Sequence, residues 1–115
     1  AYAKEKAAAA LWHLAYNNYE IQVAIAEAGA IPPLINLLTS GTTDAKENAA
    51  GALRNLAAND KNKVTIAEAG AILPLVNLVT SGTAIEKIRA AAALLNLAYN
   101  NYENQVAIAE AGAIP

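Results

Sequence analysis

The chain has 115 residues, of which 56% are hydrophobic and 16% charged, and its formal net charge is −2. This length suits one domain, residues 1–115, and the composition excludes an acidic disordered tail and offers no basic surplus for a nucleic-acid partner. The chain has no cysteine, which excludes disulfides and thiolate chemistry. Its apolar runs are far shorter than the roughly 18 residues that a membrane span needs, so we expect no membrane partner either.

One eighteen-residue sequence occurs twice. It reads AYNNYEIQVAIAEAGAIP at residues 15–32 and AYNNYENQVAIAEAGAIP at residues 98–115, and the two copies differ only at Ile21 and Asn104. Its central part, IAEAGAI, occurs a third time at residues 66–72. Similarity within one chain at a fixed spacing indicates a repeat architecture.

The spacing of the three IAEAGAI copies gives the period of the repeat. They begin at Ile25, Ile66 and Ile108, so the period is 41 and then 42 residues. Both helical solenoids and propeller blades have periods of about 40 to 45 residues. The segments here are rich in Ala and Leu at helical spacing and lack short alternating strands, which favours an all-helical repeat.

The first two predicted elements are a lone helix and the first helix of a repeat. Residues 1–16 match residues 84–99 and predict a helix of the kind that ends each repeat. The next helix ends at Gly29, because a glycine after a helix readily takes a positive φ. Asn17 and Glu20 have the spacing of a capping box at its start, and Asn100 and Glu103 have the same spacing before the last first helix.

The other two helices of the repeat follow directly. The second, IPPLINLLTSG, has Pro32 and Pro33 in its first turn, where proline is tolerated, and it ends at Ser40-Gly41. The third, DAKENAAGALRNLAAN, is the longest and is rich in alanine, which lets neighbouring helices approach closely. The residues that we expect it to turn inward are Ala49, Ala52, Leu53 and Leu56.

The same order of helices divides the whole chain. Residues 1–16 are a lone third helix, residues 17–58 are the first repeat and residues 59–99 are the second. Residues 100–115 supply a lone first helix and the start of a second one. The near-identity of the copies, the absence of Phe and Met and the first residue Ala1 are typical of an excised, consensus or designed segment.

The segments IAEAGAIPPLINLL and NAAGALRNLAAND resemble the armadillo repeat of importin-alpha and beta-catenin, and the resemblance covers nearly the whole chain. It implies an all-α fold, a right-handed α-solenoid with three helices in each repeat. It also implies that the third helices line a concave groove in which one asparagine per repeat hydrogen-bonds the main chain of an extended peptide. By register those asparagines are Asn55 and Asn96, and His13 takes their place in the first helix.

Importin-alpha-like members have a tryptophan one turn before that asparagine, whereas this chain has Ala9, Gly51 and Ala92 there. This departure argues against binding of a basic nuclear-localisation peptide. The residues predicted to bind a peptide are Asn55, Asn96, His13, Trp12, Tyr16, Tyr99, Arg54 and Arg89.

A second prediction concerns self-association. Where the first repeat has Asp44, Glu47 and Arg54, the second has three branched apolar residues, and such a patch is the usual mark of an interaction site. The first helix predicted within residues 100–115 also has no complete helix after it to cover its apolar side. The predicted patch consists of Ile85, Ile88, Leu95, Val106 and Ile108. In the other interpretation Ile88 and Leu95 are ordinary core.

Catalytic and metal-binding patterns are absent from the sequence. His13 is the only histidine and aligns with the repeated asparagine, while Ser40 and Ser81 both lie in TSG helix ends. We therefore expect no enzyme, no metal and no cofactor. The predicted function is a non-catalytic, engineered scaffold that binds an extended peptide or protein segment. The alternative is a self-assembling unit that forms a homo-oligomer.

Overall fold

The computed structural model describes residues 2–112, and that part of the chain forms eight α-helices and no strand. The all-α prediction is confirmed. The helices are α1 (Tyr2–Leu14), α2 (Tyr19–Glu27), α3 (Ile31–Ser40), α4 (Thr43–Leu56), α5 (Asp60–Glu68), α6 (Ile72–Ser81), α7 (Ala84–Ala98) and α8 (Tyr102–Gly112).

The helices stack in three rows. The third helices of the repeat, α1, α4 and α7, contact one another in that order. The first helices, α2, α5 and α8, form a second row, and the second helices, α3 and α6, form a third. Each repeat therefore packs its helices against the same helices of the next repeat, and the core runs between repeats.

The ends of the helices follow local signals, with one correction. Gly29 and Gly70 have φ values of +88° and +95°, as expected for glycine after a helix. The predicted cap at Asn17 is wrong by one residue. Asn18 is the N-cap of α2, and its side chain accepts a hydrogen bond from the backbone N–H of Ile21 at 3.0 Å. Asn17 instead takes a left-handed conformation with φ 52°, which asparagine tolerates better than most residues.

The sequence also predicts a cap at Asn100, and the same correction applies there, because the side chain of Asn101 accepts from the backbone of Asn104. A full capping box occurs instead at the start of α7. Thr83 Oγ1 accepts from the N–H of Glu86 at 3.1 Å, and Glu86 Oε1 accepts from the N–H of Thr83 at 2.9 Å. The T-x-x-E spacing could have identified it from the sequence.

The core consists of alanines and branched apolar residues from all three rows. The four residues predicted to turn inward on α4, namely Ala49, Ala52, Leu53 and Leu56, are each fully buried. Alanine dominates the contacts between third helices, so these helices pack closely against one another.

Buried amides connect the first helices to one another. Asn62 Nδ2 on α5 donates to the carbonyl of Gln22 on α2 at 3.1 Å and to the carbonyl of Leu56 at 3.0 Å. Asn104 makes the equivalent pair of bonds one repeat later, at 3.2 and 2.9 Å. Ile21 holds this position on α2, which no first helix precedes within residues 2–112. The two eighteen-residue copies thus differ at the residue that bonds a preceding first helix. Asn104 has α5 to bond to, whereas Ile21 has no such helix before it in the described chain.

No single helix in residues 2–112 has both the length and the apolarity to cross a membrane. Two pairs of consecutive helices, α2–α3 and α5–α6, meet those criteria when the two helices of a pair are counted as one segment. The helices of these pairs meet at bends of 80° and 84°.

Candidate functional site

The candidate site is the side of α1, α4 and α7 that carries His13, Asn55 and Asn96, which we call the third-helix surface. Asn55 Nδ2 donates to the carbonyl of Trp12 on α1 at 2.8 Å, and Asn96 Nδ2 donates to the carbonyl of Arg54 on α4 at 2.8 Å. The two asparagines predicted to bind a peptide therefore also bind the neighbouring third helix.

These bonds use only part of each amide. A primary amide has two N–H groups and one acceptor oxygen, and no other residue in the described part of the chain bonds to the side-chain oxygen of Asn55 or Asn96. Asn55 is 7% exposed, whereas Asn96 is half-buried. Asn96 is thus the more accessible of the two to a ligand.

The ring of Trp12 lies across α4 at Gly51. A Cβ atom at Gly51 would lie 3.0 Å from two carbons of the indole, so a larger residue would require the ring to shift by a few tenths of an ångström. The guanidinium carbon of Arg89 on α7 lies 4.0 Å from the centroid of the indole, within the range of a cation–π contact. His13 stacks beside the ring, with centroids 5.1 Å apart and planes inclined by 18°.

This arrangement changes the interpretation of Gly51. The sequence comparison treats Gly51 as a position that lacks a tryptophan, but the preceding helix supplies an indole to the same place. The cluster therefore spans three helices, because Trp12 belongs to α1, Gly51 to α4 and Arg89 to α7. The combination of a lone glycine among alanines and a lone tryptophan one helix earlier was the only signal for it in the sequence.

The other predicted peptide-binding residues lie apart from this cluster. Tyr16 and Tyr99 are 65% and 66% exposed, at the ends of α1 and α7, and the corresponding residue after α4 is Ala58. Arg54 is exposed on α4. The ring of Tyr99 faces the ammonium group of Lys63 at 5.3 Å. The structure thus gathers Trp12, His13, Asn55 and Arg89, and leaves the tyrosines two repeats apart.

The predicted self-association residues divide between two helices. Ile85, Ile88 and Leu95 on α7 are 46%, 69% and 70% exposed, so no described helix buries Ile88 and Leu95 in the core. Val106 and Ile108 on α8 are half-buried, and Ile108 packs against the core. Among residues 2–112, no group of three or more His, Asp or Glu side chains is placed to hold a metal.

A stack of three-helix units in which each kind of helix forms its own row is an α-solenoid. Residues 18–58 match the family model of the armadillo/beta-catenin-like repeat. The whole fold is that of armadillo-repeat structures, as the comparison with solved structures shows. The chain thus has the fold of armadillo-repeat structures, and residues 18–58 match the armadillo/beta-catenin-like repeat.

Two solved structures and one curated relative illustrate the similarity. A designed armadillo repeat protein is 33% identical, with a TM-score of 0.89 over 96% of this chain and 47% of its own. A second designed armadillo repeat protein, in complex with the peptide (KR)4, is 32% identical, with a TM-score of 0.89 over 96% of this chain and 46% of its own.

The curated relative is U-box domain-containing protein 17 of Arabidopsis thaliana, which is 50% identical over 50 residues. This match covers 44% of the present chain and 7% of the relative. The chain thus spans less than half the length of the two solved structures and a small part of the plant protein.

Proposed function

We propose that the chain is a non-catalytic scaffold that binds an extended peptide or protein segment along its third-helix surface. The observation that carries this proposal is the contact of the Arg89 guanidinium with the indole of Trp12, 4.0 Å from the ring centroid. It shows a side chain held on an aromatic face beside the asparagine row. A peptide side chain that displaced Arg89 would find the same face.

The asparagines would bind the main chain of the peptide. The side-chain oxygen of Asn96 can accept a hydrogen bond from a peptide N–H while its amide nitrogen still donates to the carbonyl of Arg54. Asn55 would act in the same way through its smaller exposed part. Tyr16 and Tyr99 would contact the two ends of a peptide that spans all three helices.

The side chains around Trp12 would select among peptides. Arg89, once displaced from the indole, is free to pair with an acidic group of the peptide. Arg54 is exposed on the neighbouring helix and adds a second positive charge. His13 stacks beside Trp12 and extends the aromatic surface next to Arg89.

The origin of the chain as an engineered array is part of the same proposal. It is supported by the near-identical copies at residues 15–32 and 98–115 and by the similarity to designed armadillo repeat proteins. A second candidate function, self-assembly, is favoured by the exposure of Ile88 and Leu95 on α7.

A peptide screen with asparagine variants tests the proposed groove. Trp12 is the only tryptophan, so its fluorescence reports directly on binding near the cluster. Loss of one hydrogen bond of about 1 to 1.5 kcal/mol should weaken a selected peptide roughly tenfold in Asn96→Ala. Asn55→Ala should weaken it too. Asn77→Ala is the matched control, since Asn77 is exposed on α6 away from this surface.

Thermal unfolding of each variant must be followed in parallel, because Asn55 and Asn96 also bond neighbouring helices. If peptides bind with unchanged affinity to both folded variants, the third-helix surface is not the binding site. If no peptide in the library alters Trp12 fluorescence or binds at all, the proposed function fails as a whole.

A further inference from the structure

The side of α7 that faces away from α4 has the form of an interface, but no described helix covers it. Ala8 on α1 and Ala50 on α4 are 1% and 0% exposed, because the next third helix packs on each of them. At the same position of the repeat, α7 has Ala91, which is exposed between Ile88 and Leu95. We call this row of residues on α7 the outgoing edge.

The side of α1 that faces away from α4 is uncovered in the same way. On α4, Ala52 and Leu56 are fully buried where α1 and the rest of the core pack on them. At the same positions α1 has Ala10, which is exposed, and Leu14, which is 54% exposed. Ala7 lies one turn before Ala10 and is exposed as well. We call the row Ala7, Ala10 and Leu14 the incoming edge.

Inside the chain, an outgoing edge meets an incoming edge twice, once between α1 and α4 and once between α4 and α7. We propose that a second copy of the chain repeats this contact, so that the outgoing edge of α7 in one copy packs on the incoming edge of α1 in the next. The row of third helices would then continue from copy to copy. Ile88 and Leu95 would stand over the small alanines of the partner's α1.

The composition of the outgoing edges supports this occupant. On α4, beside which α7 packs, two positions of the outgoing edge are the charged residues Glu47, which is half-buried, and Arg54, which stays exposed at the rim of the contact. On α7 the same positions are Ile88 and Leu95. Among the third helices of residues 2–112, α7 is thus the one on whose outgoing edge no further third helix packs. It is also the one in which these two positions carry no charge. Large apolar side chains in such a row favour burial against a complementary surface.

A hydrogen bond between neighbouring third helices can also form in the contact between two copies. We call each place where two third helices pack together a joint. At the joints inside the chain, Asn55 and Asn96 donate to the carbonyl of the preceding third helix at 2.8 Å. At the joint between copies, His13 of the second copy holds the equivalent position. Its ring N–H would face the carbonyl of Leu95.

The joint between copies should be weaker than the joints inside the chain. A groove of about 340 Å³ lies between α1 and α3, and its lining includes Leu11, Leu34 and Leu37. One repeat later the equivalent Leu53 and Leu78 are 0% and 7% exposed, where α3 contacts both α4 and α6. No second helix fills the α1–α3 groove within the described chain. The association should therefore be reversible and dependent on concentration.

Because the two edges differ, the contact is heterologous and can form open chains or rings, and this gives a sharp test. Ile88→Glu with Leu95→Glu blocks the outgoing edge, and Ala7→Glu with Ala10→Glu blocks the incoming edge. All four residues are exposed, so each variant should keep its fold, and circular dichroism verifies this. Leu73→Glu is the control, since Leu73 is 58% exposed on α6. Its equivalent on α3 is Pro32, which stays exposed although α6 packs beside α3, so Leu73 does not lie where a next repeat would pack.

Sedimentation equilibrium from micromolar to millimolar protein gives the masses. The wild type and Leu73→Glu should show an average mass that rises above 11.9 kDa with concentration. Each blocked variant alone should associate at least about 100-fold more weakly, because charges replace two apolar side chains in the contact. An equimolar mixture of the two blocked variants should form a one-to-one dimer, since each retains one intact edge.

Three results would overturn the proposal. The first is a wild type that remains monomeric at every concentration. The second is association that survives the Ala7→Glu, Ala10→Glu change but not the α7 change, which would indicate contact between two α7 edges. The third is a mixture of blocked variants that stays monomeric. None of these outcomes depends on whether the third-helix surface binds a peptide, so the two proposals can fail separately.

Discussion

At the residue scale, Gly51 and Trp12 define the candidate site more than the asparagines do. Gly51 lies in the middle of α4, where glycine costs about 1 kcal/mol relative to alanine. The indole of Trp12 lies close to the position that a Cβ would take, at 3.0 Å. The cost in helix propensity is thus offset by a place for an aromatic ring on the third-helix surface, where Arg89 then stacks on it.

We predict that Gly51→Ala displaces Trp12. The added methyl group would lie 3.0 Å from the indole carbons, so either the ring moves or the packing is strained. Overpacking costs about 1 to 3 kcal/mol, and better helix propensity returns about 1, so the net change in unfolding free energy is a loss of up to about 2 kcal/mol. Emission from Trp12 should shift to longer wavelength as the ring becomes more exposed, and chemical denaturation gives the stability.

The matched control is Ala92→Gly, at the same position of the repeat on α7. It should lower the stability by about 1 kcal/mol through helix propensity and leave the emission of Trp12 unchanged. If Gly51→Ala instead stabilises the protein by about 1 kcal/mol with unchanged emission, the indole does not lie on α4 in solution.

The asparagines illustrate what the sequence can and cannot predict about single residues. The repeat register alone places Asn55 and Asn96 at equivalent positions on third helices. It does not predict that their amide nitrogens donate to the carbonyls of Trp12 and Arg54, because those contacts join residues 43 and 42 positions apart and depend on the distance between two helices. The cluster around Trp12 was missed for the same reason.

At the scale of helices, the lengths and order follow from local signals that are readable in the sequence. Gly29 ends α2, and Pro32 and Pro33 lie in the first turn of α3, as predicted. The cap of α2 was misplaced by one residue, at Asn17 instead of Asn18. Both are asparagines, and only the backbone geometry distinguishes a left-handed residue from a cap.

We predict that the buried amides of Asn62 and Asn104, which bond neighbouring first helices, stabilise the stack of repeats. Asn62→Ala removes two buried hydrogen bonds, to the carbonyls of Gln22 and Leu56, and should lower the unfolding free energy by about 2 to 3 kcal/mol. Thermal denaturation should show a melting temperature lower by several degrees.

Ile21→Asn introduces the same amide on α2, where no first helix precedes it in the described chain and where Ile21 packs against the core. The bond to a preceding first helix is lost there and so is the apolar packing, so the change should give no stabilisation and is the control for the row of buried amides. A stability of Asn62→Ala within about 0.5 kcal/mol of the wild type would mean that the amide bonds contribute little to the contact between first helices.

At the scale of the whole molecule, the repeat period determines how the described helices stack into a solenoid. Because each repeat buries its apolar side against the next, α8 has only one neighbouring repeat within residues 2–112. Ile66 on α5 is fully buried, while the equivalent Ile108 on α8 is half-buried. The repeat register identifies equivalent residues such as Ile66 and Ile108, but the degree of burial depends on how α8 packs on α6 and α7.

Covering this end should stabilise the protein and abolish its association. We consider a chain in which residues 74–99 are copied directly after Pro115, with Asp, Glu and Arg at the copied positions of Ile85, Ile88 and Leu95. The added helices would bury Ile108 and the outgoing edge of α7, at about 25 cal/mol for each Å² of apolar surface. The melting temperature should rise by several degrees, since about 1 kcal/mol corresponds to a few degrees for a domain of this size.

The control for this extension is a Gly/Ser tail of the same length, which adds mass without covering the edge and should leave both properties unchanged. The extended protein presents charges at its new outgoing edge, as α4 does at Glu47 and Arg54, so it should sediment as a monomer at concentrations where the original chain associates. If the extended protein were more stable but still associated, the gain in stability and the loss of association would have different causes. It would assign the stability to burial of Ile108 and would show that α7 is not the surface through which copies meet.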